Sequence, residues 1–444
     1  MLEAAGSFAG GGAVTLGLWL GLSPETIFLA AAGALGAAAA AVAIAERRPP
    51  LGAIPLAGAI AVMGFGLDGD WAAARRRAEW RRLMDRGGFR GSFSTARGEY
   101  VYGERDGRFT VLSRTSAVEA LPDRESSAPI AAMAMAQHPA ARRVLVAGTS
   151  SYPLCRRLLA LPAVERVTWL GADPEYPRRL REVLPERYCA DDPRLHVPGT
   201  DARAFVRSGG RGYDLAVLDF PDPTTLHLNR YYTREFFQGL RDRLEHDGVV
   251  CISITGGANY LSPAAADMGG SIYRTLRDVF GNTAIKAGEQ TWLFASAGTA
   301  VSASPAILAE RFFRLQNADD VFPRGGFESL FETARIEKQK EGYAAAAAAG
   351  RARPNTDAHP RALAYAVRLA ARRSGLPGAG DTIGLLGIAG IPIAAAGLGI
   401  LFLLRLLYRL LEGGRRRAGR GAAGLDSLLL VATAGASGIG LKAE

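Results

Sequence analysis

The chain has 444 residues and a formal net charge of +10, with 53 basic and 43 acidic residues. Almost all of its basic residues are arginine, but no segment combines clustered basic side chains with interleaved aromatic ones, so we predict no nucleic-acid partner. The three cysteines lie far apart and only five histidines are present, which argues against a disulfide framework and against a metal cofactor.

Hydrophobicity is concentrated at the two ends of the chain. Segments 26–44 and 383–404 are strongly apolar, and shorter apolar segments accompany each of them. A helix needs about 20 apolar residues to cross a bilayer. We therefore predict transmembrane helices within 1–70 and within 380–444, with membrane lipid as a partner; very apolar core helices are the alternative.

The side of the membrane that the middle of the chain faces stays open. Arginines at 47–48 and 405–420 would lie on one face, and the equally basic stretch 74–90 would lie on the other. The positive-inside rule is nearly balanced by these charges. The sequence predicts a multi-pass protein of the cell membrane, with a slight preference for a cytoplasmic middle region.

The first element of the middle region is a small β structure. Residues 91–113 alternate between apolar and polar side chains, and the run is interrupted at Asp106 and Gly107. Asp-Gly between alternating runs favours a tight hairpin. We predict a β-hairpin region over 90–118.

A regular alternation of strands and helices follows. Short apolar runs alternate with amphipathic stretches, and two further runs at 283–288 and 291–297 can close the sheet as a hairpin. Repeated β-α units predict an α/β fold with a doubly wound, mostly parallel sheet. The predicted parallel strands are 142–148, 166–173, 193–197, 213–219 and 248–256.

The stretch "VLDFPDP" (217–223) places two acids directly after a buried strand. Pro221 and Pro223 end that strand because neither can donate to a sheet ladder. Asp219 and Asp222 then lie at the carboxyl end of a parallel strand, where open α/β sheets bind ligands. Their alternative role is to cap a turn.

Three stretches carry a resemblance to a known family. "VLVAGTSSYPLCRRLLALPAVERVTWLGAD" is similar to VLxxGGGDGGxxREVLxxPxVExVxxVExD, "DDPRLHVPGTDARAFV" to DPRVxVxxGDGxxFL, and "YDLAVLDFPDP" to YDVIIxDxxDP. These are patterns of the spermidine synthase (polyamine aminopropyltransferase) family, and the resemblance runs from about 95 to 300. It implies a Rossmann-like, methyltransferase-type domain over 119–300, followed by a helical extension over 301–375. The stretches 224–250 and 355–365 resemble a membrane-bound branch of the family.

The resemblance also implies a reaction. Such enzymes move an aminopropyl group from decarboxylated S-adenosylmethionine, the co-substrate, to a diamine such as putrescine. The amine must lose a proton to act as a nucleophile, and a carboxylate can accept it. By resemblance Asp219 is this base and Asp222 holds the amine, while the soluble relatives imply a homodimer.

Further site residues are carried over in the same way. Ser151 and Tyr231 would line the substrate site, although Tyr231 could equally pack beneath it, and Ser151 replaces the family acid that binds the aminopropyl amine. Asp201 would contact the adenine amino group, or else cap the helix that begins at Ala202. Gly171 replaces the family acid that binds the ribose hydroxyls. The residues assigned to the co-substrate are Gly148, Asp173, Asp201 and Ala202.

Three functions remain open at this point. The first is aminopropyl transfer, the second is a non-catalytic, membrane-tethered binding or scaffolding domain, and the third is another adenosylmethionine-type transfer such as methylation. The acid pair favours the first over the third, and the losses at Ser151 and Gly171 favour the second. An amine site requires Asp219 and Asp222 to face one open cleft without an arginine such as Arg230 against them.

Overall fold

A computed structural model describes most of the middle of the chain and only parts of its ends. The chain divides into two compact units, one formed by 1–92 with 399–443 and the other by 93–398 with 444. The predicted transmembrane region 380–444 lies outside the described residues, as does most of 1–70. Within the described ranges, no helix has both the length and the apolar character that a bilayer crossing requires. These ranges are 10–17, 20, 26–28, 30–34, 67–84, 87–113, 116–123, 125–148, 151–188, 192–257, 260–298 and 301–375.

The predicted hairpin is present and is part of a larger sheet. Asp106 and Gly107 both have positive φ angles, of 50° and 75°, as the two central residues of a tight hairpin turn require. Two more strands extend the hairpin to a four-stranded sheet in the order β1-β2-β3-β4. Its strands are β1 Phe89–Thr95, β2 Gly98–Arg105, β3 Arg108–Ser113 and β4 Ser116–Leu121.

The main sheet has seven strands and confirms the predicted doubly wound α/β fold. Strands β7, β6, β5, β8 and β9 are neighbours in that order and run parallel. The predicted closing hairpin, β10 and β11, adds antiparallel to β9. The bounds are β5 Arg143–Gly148, β6 Arg166–Gly171, β7 Leu195–His196, β8 Tyr213–Asp219, β9 Leu244–Thr255, β10 Asn282–Lys286 and β11 Gln290–Ser296.

Helices cover both faces of this sheet. Alternate residues of a strand point to opposite faces, so Val144 and Val146 join one apolar layer while Leu145 and Ala147 join the other. Helix α1 Leu67–Met84 belongs to the other unit. The helices in the same unit as the sheet are α2 Ser127–Gln137, α3 Tyr152–Leu159, α4 Tyr176–Val183, α5 Ala202–Arg207, α6 Leu226–Asn229, α7 Arg234–Arg243, α8 Pro263–Phe280, α9 Pro305–Phe312, α10 Ala318–Val321, α11 Gly326–Leu330, α12 Thr333–Ala348 and α13 Arg361–Arg373.

Asn355 joins the helical extension to the main domain. Its side chain is fully buried, donates to Asn229 Oδ1 and to the Tyr232 carbonyl, and accepts from the Ala362 amide at the start of α13. Its backbone amide also donates to Thr275 Oγ1 on α8. Asn355 therefore connects three elements at once.

Candidate functional site

The site lies where three neighbouring parallel strands end. Gly148 of β5 pairs with Gly171 of β6 on one side and with Asp219 of β8 on the other. Gly148 has a φ of 144°, and a Cβ added to it would lie 2.1 Å from the Asp219 carbonyl oxygen. Only glycine allows the two strands to approach this closely, which fixes the position of Asp219.

The Asp219 carboxyl is half-buried and has only neutral hydrogen-bond donors. Its Oδ1 accepts from Ser253 Oγ at 2.6 Å and from Gln290 Nε2 at 3.3 Å. Burial raises the pKa of Asp219, and the Ser253 hydrogen bond offsets only part of that effect. Among the described residues it forms no ion pair, so the carboxyl can take up and hold a proton more readily than an exposed aspartate.

Asp222 is held in the loop that follows. Its Oδ1 accepts from the Thr255 amide at 2.9 Å. The buried Tyr232 hydroxyl lies within hydrogen-bond distance of the Phe220 and Pro221 carbonyl oxygens, at 2.9 and 3.0 Å. This hydroxyl therefore fixes the loop between the two acids.

Two cavities share Asp219 as a wall. One has a volume of about 370 Å³ and includes Asp222, Glu289 and Gln290 in its lining. The other has a volume of about 160 Å³ and reaches Glu119 and Asp123. Asp219 and Asp222 thus face one open cleft, and neither forms an ion pair with an arginine in the part of the chain that the structure describes.

Arg230 instead binds Asp201. Its Nη2 lies 2.5 Å from Asp201 Oδ2, which also accepts from the Tyr231 hydroxyl at 2.8 Å, and Arg97 approaches the same oxygen at 3.5 Å. Asp201 Oδ1 accepts from the Arg203 and Ala204 amides, so Asp201 is the N-cap of α5. Burial raises the pKa of Asp201, but the Tyr231 hydrogen bond, the Arg230 charge and the helix amides outweigh it and hold that pKa below its ordinary value.

Tyr231 packs beneath the acidic loop. Its side chain is fully buried, and its ring stacks on Phe220 with the centroids 4.1 Å apart and the planes at 4°. Its hydroxyl is directed to Asp201, as described above, whereas the cavities beside Asp219 are lined by other residues. Ala202, the first residue of α5, is likewise buried.

Asp173 connects the small sheet to the main one. Its Oδ2 accepts from the hydroxyls of Thr95 and Tyr100, and its Oδ1 accepts from the Glu175 amide. Gly171 has no space for a side chain, because a Cβ there would lie 2.4 Å from the Asp173 carbonyl oxygen and 2.7 Å from Pro177 Cδ. The ribose-binding acid of the family pattern therefore cannot be accommodated on this backbone.

Ser151 is buried at the start of α3, and its carbonyl accepts from the Cys155 amide at 2.9 Å. Residues 149–150, which complete the predicted nucleoside turn, lie outside the described residues. The described part of the chain contains no group of three His, Cys, Asp or Glu side chains placed to hold a metal ion.

Sequence reasoning missed Glu119 and the Arg97–His227 pair. His227 Nε2 lies 3.3 Å from Arg97 Nη1, and its pKa is lowered by burial and then by the charges of Arg230 and Arg97. Glu119 lies in "SAVEAL", a short strand without a clear alternation. The signal available for Glu119 was a single charge in an otherwise apolar strand, and no local signal pairs Arg97 with His227.

Comparison with known proteins agrees with the sequence resemblance at the level of the domain. Residues 125–259 match the family described as the spermine/spermidine synthase domain. Over 142 residues the chain is 34% identical to a polyamine aminopropyltransferase of Synechococcus sp. (strain JA-2-3B'a(2-13)), which covers 31% of this chain and 44% of the relative. Over 166 residues it is 33% identical to a polyamine aminopropyltransferase of Pyrobaculum calidifontis, which covers 36% of this chain and 55% of the relative. The chain thus spans about half the length of these two relatives.

Part of the chain is also similar to solved structures. A crystal structure of spermidine synthase in complex with the transition state analogue AdoDATO has a TM-score of 0.47 and 21% identity, and covers 57% of this chain and 88% of that chain. Spermidine synthase from Thermotoga maritima has a TM-score of 0.45 and 18% identity, with coverages of 58% and 88%.

Proposed function

We propose that this chain is a spermidine-synthase-like transferase that moves an aminopropyl group from decarboxylated S-adenosylmethionine to an amine such as putrescine. One observation carries the proposal. Asp219 lies at a strand end between two cavities, shares one of them with Asp222, and has no cationic partner among the described residues. An acid in this position is available to a positively charged substrate.

The proposed roles of Asp219 and Asp222 follow from the groups that surround them. An alkylamine arrives as an ammonium at neutral pH. The Asp219 carboxylate accepts a hydrogen bond from this ammonium and then takes its proton, which leaves a neutral nitrogen with a free electron pair. The raised pKa of Asp219 favours this proton transfer, and Ser253 Oγ holds the carboxylate in place. Asp222, fixed by the Thr255 amide, provides a second acceptor in the same cavity.

The nucleoside side does not fit the family pattern equally well. Both oxygens of Asp201 are already bound within the chain, and Gly171 leaves no space for an acid. We therefore assign no step to this side, and the roles of Gly148, Asp173, Asp201 and Ala202 towards the co-substrate remain predictions. The same observation supports a second candidate function, an amine-binding domain without transfer activity.

The deciding experiment follows the release of methylthioadenosine from decarboxylated S-adenosylmethionine by the full-length protein, with a panel of diamines. We expect Asp219→Asn to lower kcat by a factor of about 10² to 10⁴, the range of a general base. The exposed Asp242 on α7 provides the matched control, and Asp242→Asn should leave kcat unchanged. If the folded wild-type protein releases no methylthioadenosine with any diamine, the second candidate function replaces the first.

We also propose that the chain is a multi-pass protein of the cell membrane with its transferase domain on the cytoplasmic face. The apolar segments 26–44 and 383–404 support this proposal. The full-length protein should stay in the membrane fraction after washing with alkaline carbonate and should be released only by detergent. Release by carbonate alone would contradict the proposal. Protease added to the outside of intact cells should leave the middle domain uncleaved.

A further inference from the structure

Glu119 is a buried acid whose charge is not satisfied within the protein. It lies on β4 with 1% of its surface exposed, and neither of its carboxylate oxygens has a hydrogen-bond partner. Burial of a carboxyl without partners is costly, and nearly all buried polar groups are hydrogen-bonded. Such an exception requires a reason, and one reason is a ligand.

Two polar groups lie near Glu119, but neither provides a hydrogen bond to its carboxylate. The Tyr152 amide and the Tyr176 hydroxyl lie close enough to lower its pKa, but neither completes a hydrogen bond of normal geometry, and the Tyr176 hydroxyl itself has no partner. Burial is the main effect and raises the pKa of Glu119, and the charges of Asp123 and Asp219 raise it further. The carboxyl is therefore prepared to gain from a positive charge placed beside it.

Glu119 is also one of the residues that line a cavity. Glu119, Asp123 and Asp219 line the cavity of about 160 Å³, a volume several times what one water molecule needs. The basic side chain in the lining is Arg108, which is exposed and forms no ion pair with these acids in the described structure. The charge balance of the lining therefore favours a cation.

The spacing of these acids favours an organic cation over a metal ion. The described residues contain no three acidic, histidine or cysteine side chains close enough to share one ion. The three acids are instead distributed along the cavity wall, from β4 through the loop before α2 to the end of β8. An extended alkyl chain with a terminal ammonium fits this arrangement, because the ammonium donates three hydrogen bonds and the chain contacts apolar lining residues such as Ile130 and Leu154.

We propose that Glu119 binds the primary ammonium of an alkylamine that lies in this cavity with its other end at Asp219. The proposal deepens the proposed function, on which it rests, by adding an anionic contact in the cavity that includes Asp219 but not Asp222. Two sources share this ligand chemistry: the distal ammonium of a diamine acceptor and the ammonium of the aminopropyl donor. Glu119 would stabilise either one by accepting hydrogen bonds and by neutralising its charge.

The test measures binding separately from catalysis. The full-length protein is titrated by calorimetry with 1,4-diaminobutane and, separately, with decarboxylated S-adenosylmethionine. Glu119→Gln removes the charge while keeping the shape of the side chain, and Glu125→Gln, at an exposed acid six residues further along, is the control. We expect Glu119→Gln to raise the Kd of one ligand at least tenfold and Glu125→Gln to change it less than twofold. The ligand that is affected identifies the source of the ammonium.

A second variant distinguishes loss of the charge from loss of the folded structure. Glu119→Asp keeps the charge on a shorter side chain and should bind more tightly than Glu119→Gln, provided that thermal unfolding shows all variants to be folded. Equal Kd values for the wild type and Glu119→Gln with both ligands would overturn the inference, as would the absence of binding to the wild type. A selective loss of binding in a protein that releases no methylthioadenosine would refute the transfer but keep the site. Release of methylthioadenosine with unchanged binding in Glu119→Gln would support the transfer and refute the site at Glu119.

Discussion

The acids on the two sides of the cleft at the strand ends differ in their hydrogen-bond and ion-pair partners. On the side that we propose for the amine (the amine side), Asp219, Asp222 and Glu119 line cavities and have neutral donors or none. On the side predicted for the nucleoside (the nucleoside side), Asp201 and Asp173 are bound by side chains and amides of the chain itself. The difference comes from the residues that surround each acid.

We interpret this contrast as a difference between acids that are available to a ligand, as proposed above, and acids that stabilise the structure. An arginine partner neutralises the charge of a carboxylate, so that the acid attracts a cationic ligand only weakly. A buried acid without such a partner has a raised pKa and is stabilised when a cation binds beside it. Position at a strand end therefore does not decide the role of an aspartate by itself. The following changes test the contrast, from the largest expected effect to the smallest.

Gly148→Ala should disrupt the junction between the two sides. The new Cβ would lie 2.1 Å from the Asp219 carbonyl oxygen on a backbone with a φ of 144°. We expect a loss of about 3 kcal/mol or more in the free energy of unfolding, together with displacement of Asp219. Chemical denaturation measures the loss, and a change below about 1 kcal/mol would contradict the close approach of the strands.

Asp201→Asn should destabilise the protein by about 2 kcal/mol, because it removes the charge from hydrogen bonds to Arg230 and Tyr231. The folded-state pKa of Asp201 lies below its unfolded value. Its contribution to stability is therefore present above the unfolded pKa of about 3.9 and is lost as the pH falls through the folded pKa. Denaturation curves at pH 7 and near pH 3 should show the difference between variant and wild type shrinking in acid, and a difference independent of pH would exclude the charged pair.

Gly171→Ala tests whether the backbone at position 171 has space for a side chain. Its Cβ would meet the Asp173 carbonyl oxygen and the Pro177 ring, so we expect a loss of about 2 kcal/mol. The double variant Gly171→Ala with Pro177→Ala should be more stable than the sum of the two single changes predicts, since one of the two obstacles is removed. Strict additivity in a double-mutant cycle would show that Pro177 does not close this position.

Tyr232→Phe should cost about 1 kcal/mol, the value of a buried hydrogen bond. Because the hydroxyl fixes the loop between Asp219 and Asp222, the amine KM should rise. Tyr273→Phe serves as a control outside this loop, since Tyr273 bonds with Thr283. Equal KM values for the two variants would remove Tyr232 from the positioning of the loop.

Asp219→Asn should give the smallest change in stability, and in the opposite direction to Asp201→Asn. The folded-state pKa of Asp219 is raised, so its ionised form opposes folding above the unfolded pKa. The variant should therefore have a slightly higher Tm than the wild type at pH 7, and the two should have nearly equal Tm values near pH 3. A lower Tm for the variant at pH 7 would show that the hydrogen bonds from Ser253 and Gln290 outweigh the cost of burying the Asp219 charge.

The fold could be predicted because its signals are local. Apolar runs such as 213–219 and 248–256, separated by amphipathic stretches, specified the parallel strands, and Asp106-Gly107 specified the hairpin. The helix cap at Asp201 was likewise readable, since its side chain precedes α5 directly.

The partners of the site residues could not be predicted in the same way. Arg97 and Arg230 reach Asp201 from separate parts of the chain, and Glu119 of β4 lines the same cavity as Asp219 of β8. These contacts depend on tertiary packing and leave no periodic pattern in the sequence. The obstruction at Gly171 by Pro177 is similar, because it depends on the exact path of the turn before α4.

The connections made by Asn355 bear on how the protein opens. Its side chain joins α13 to α6 and the loop after it, and its backbone amide bonds to α8, so separate fraying of the last described helix is unfavourable. Local opening would have to break buried hydrogen bonds in all three places at once, so these elements should behave as one cooperative unit. The amides of α13 should then exchange with deuterium at rates close to those of α8, although the helix lies near the end of the domain.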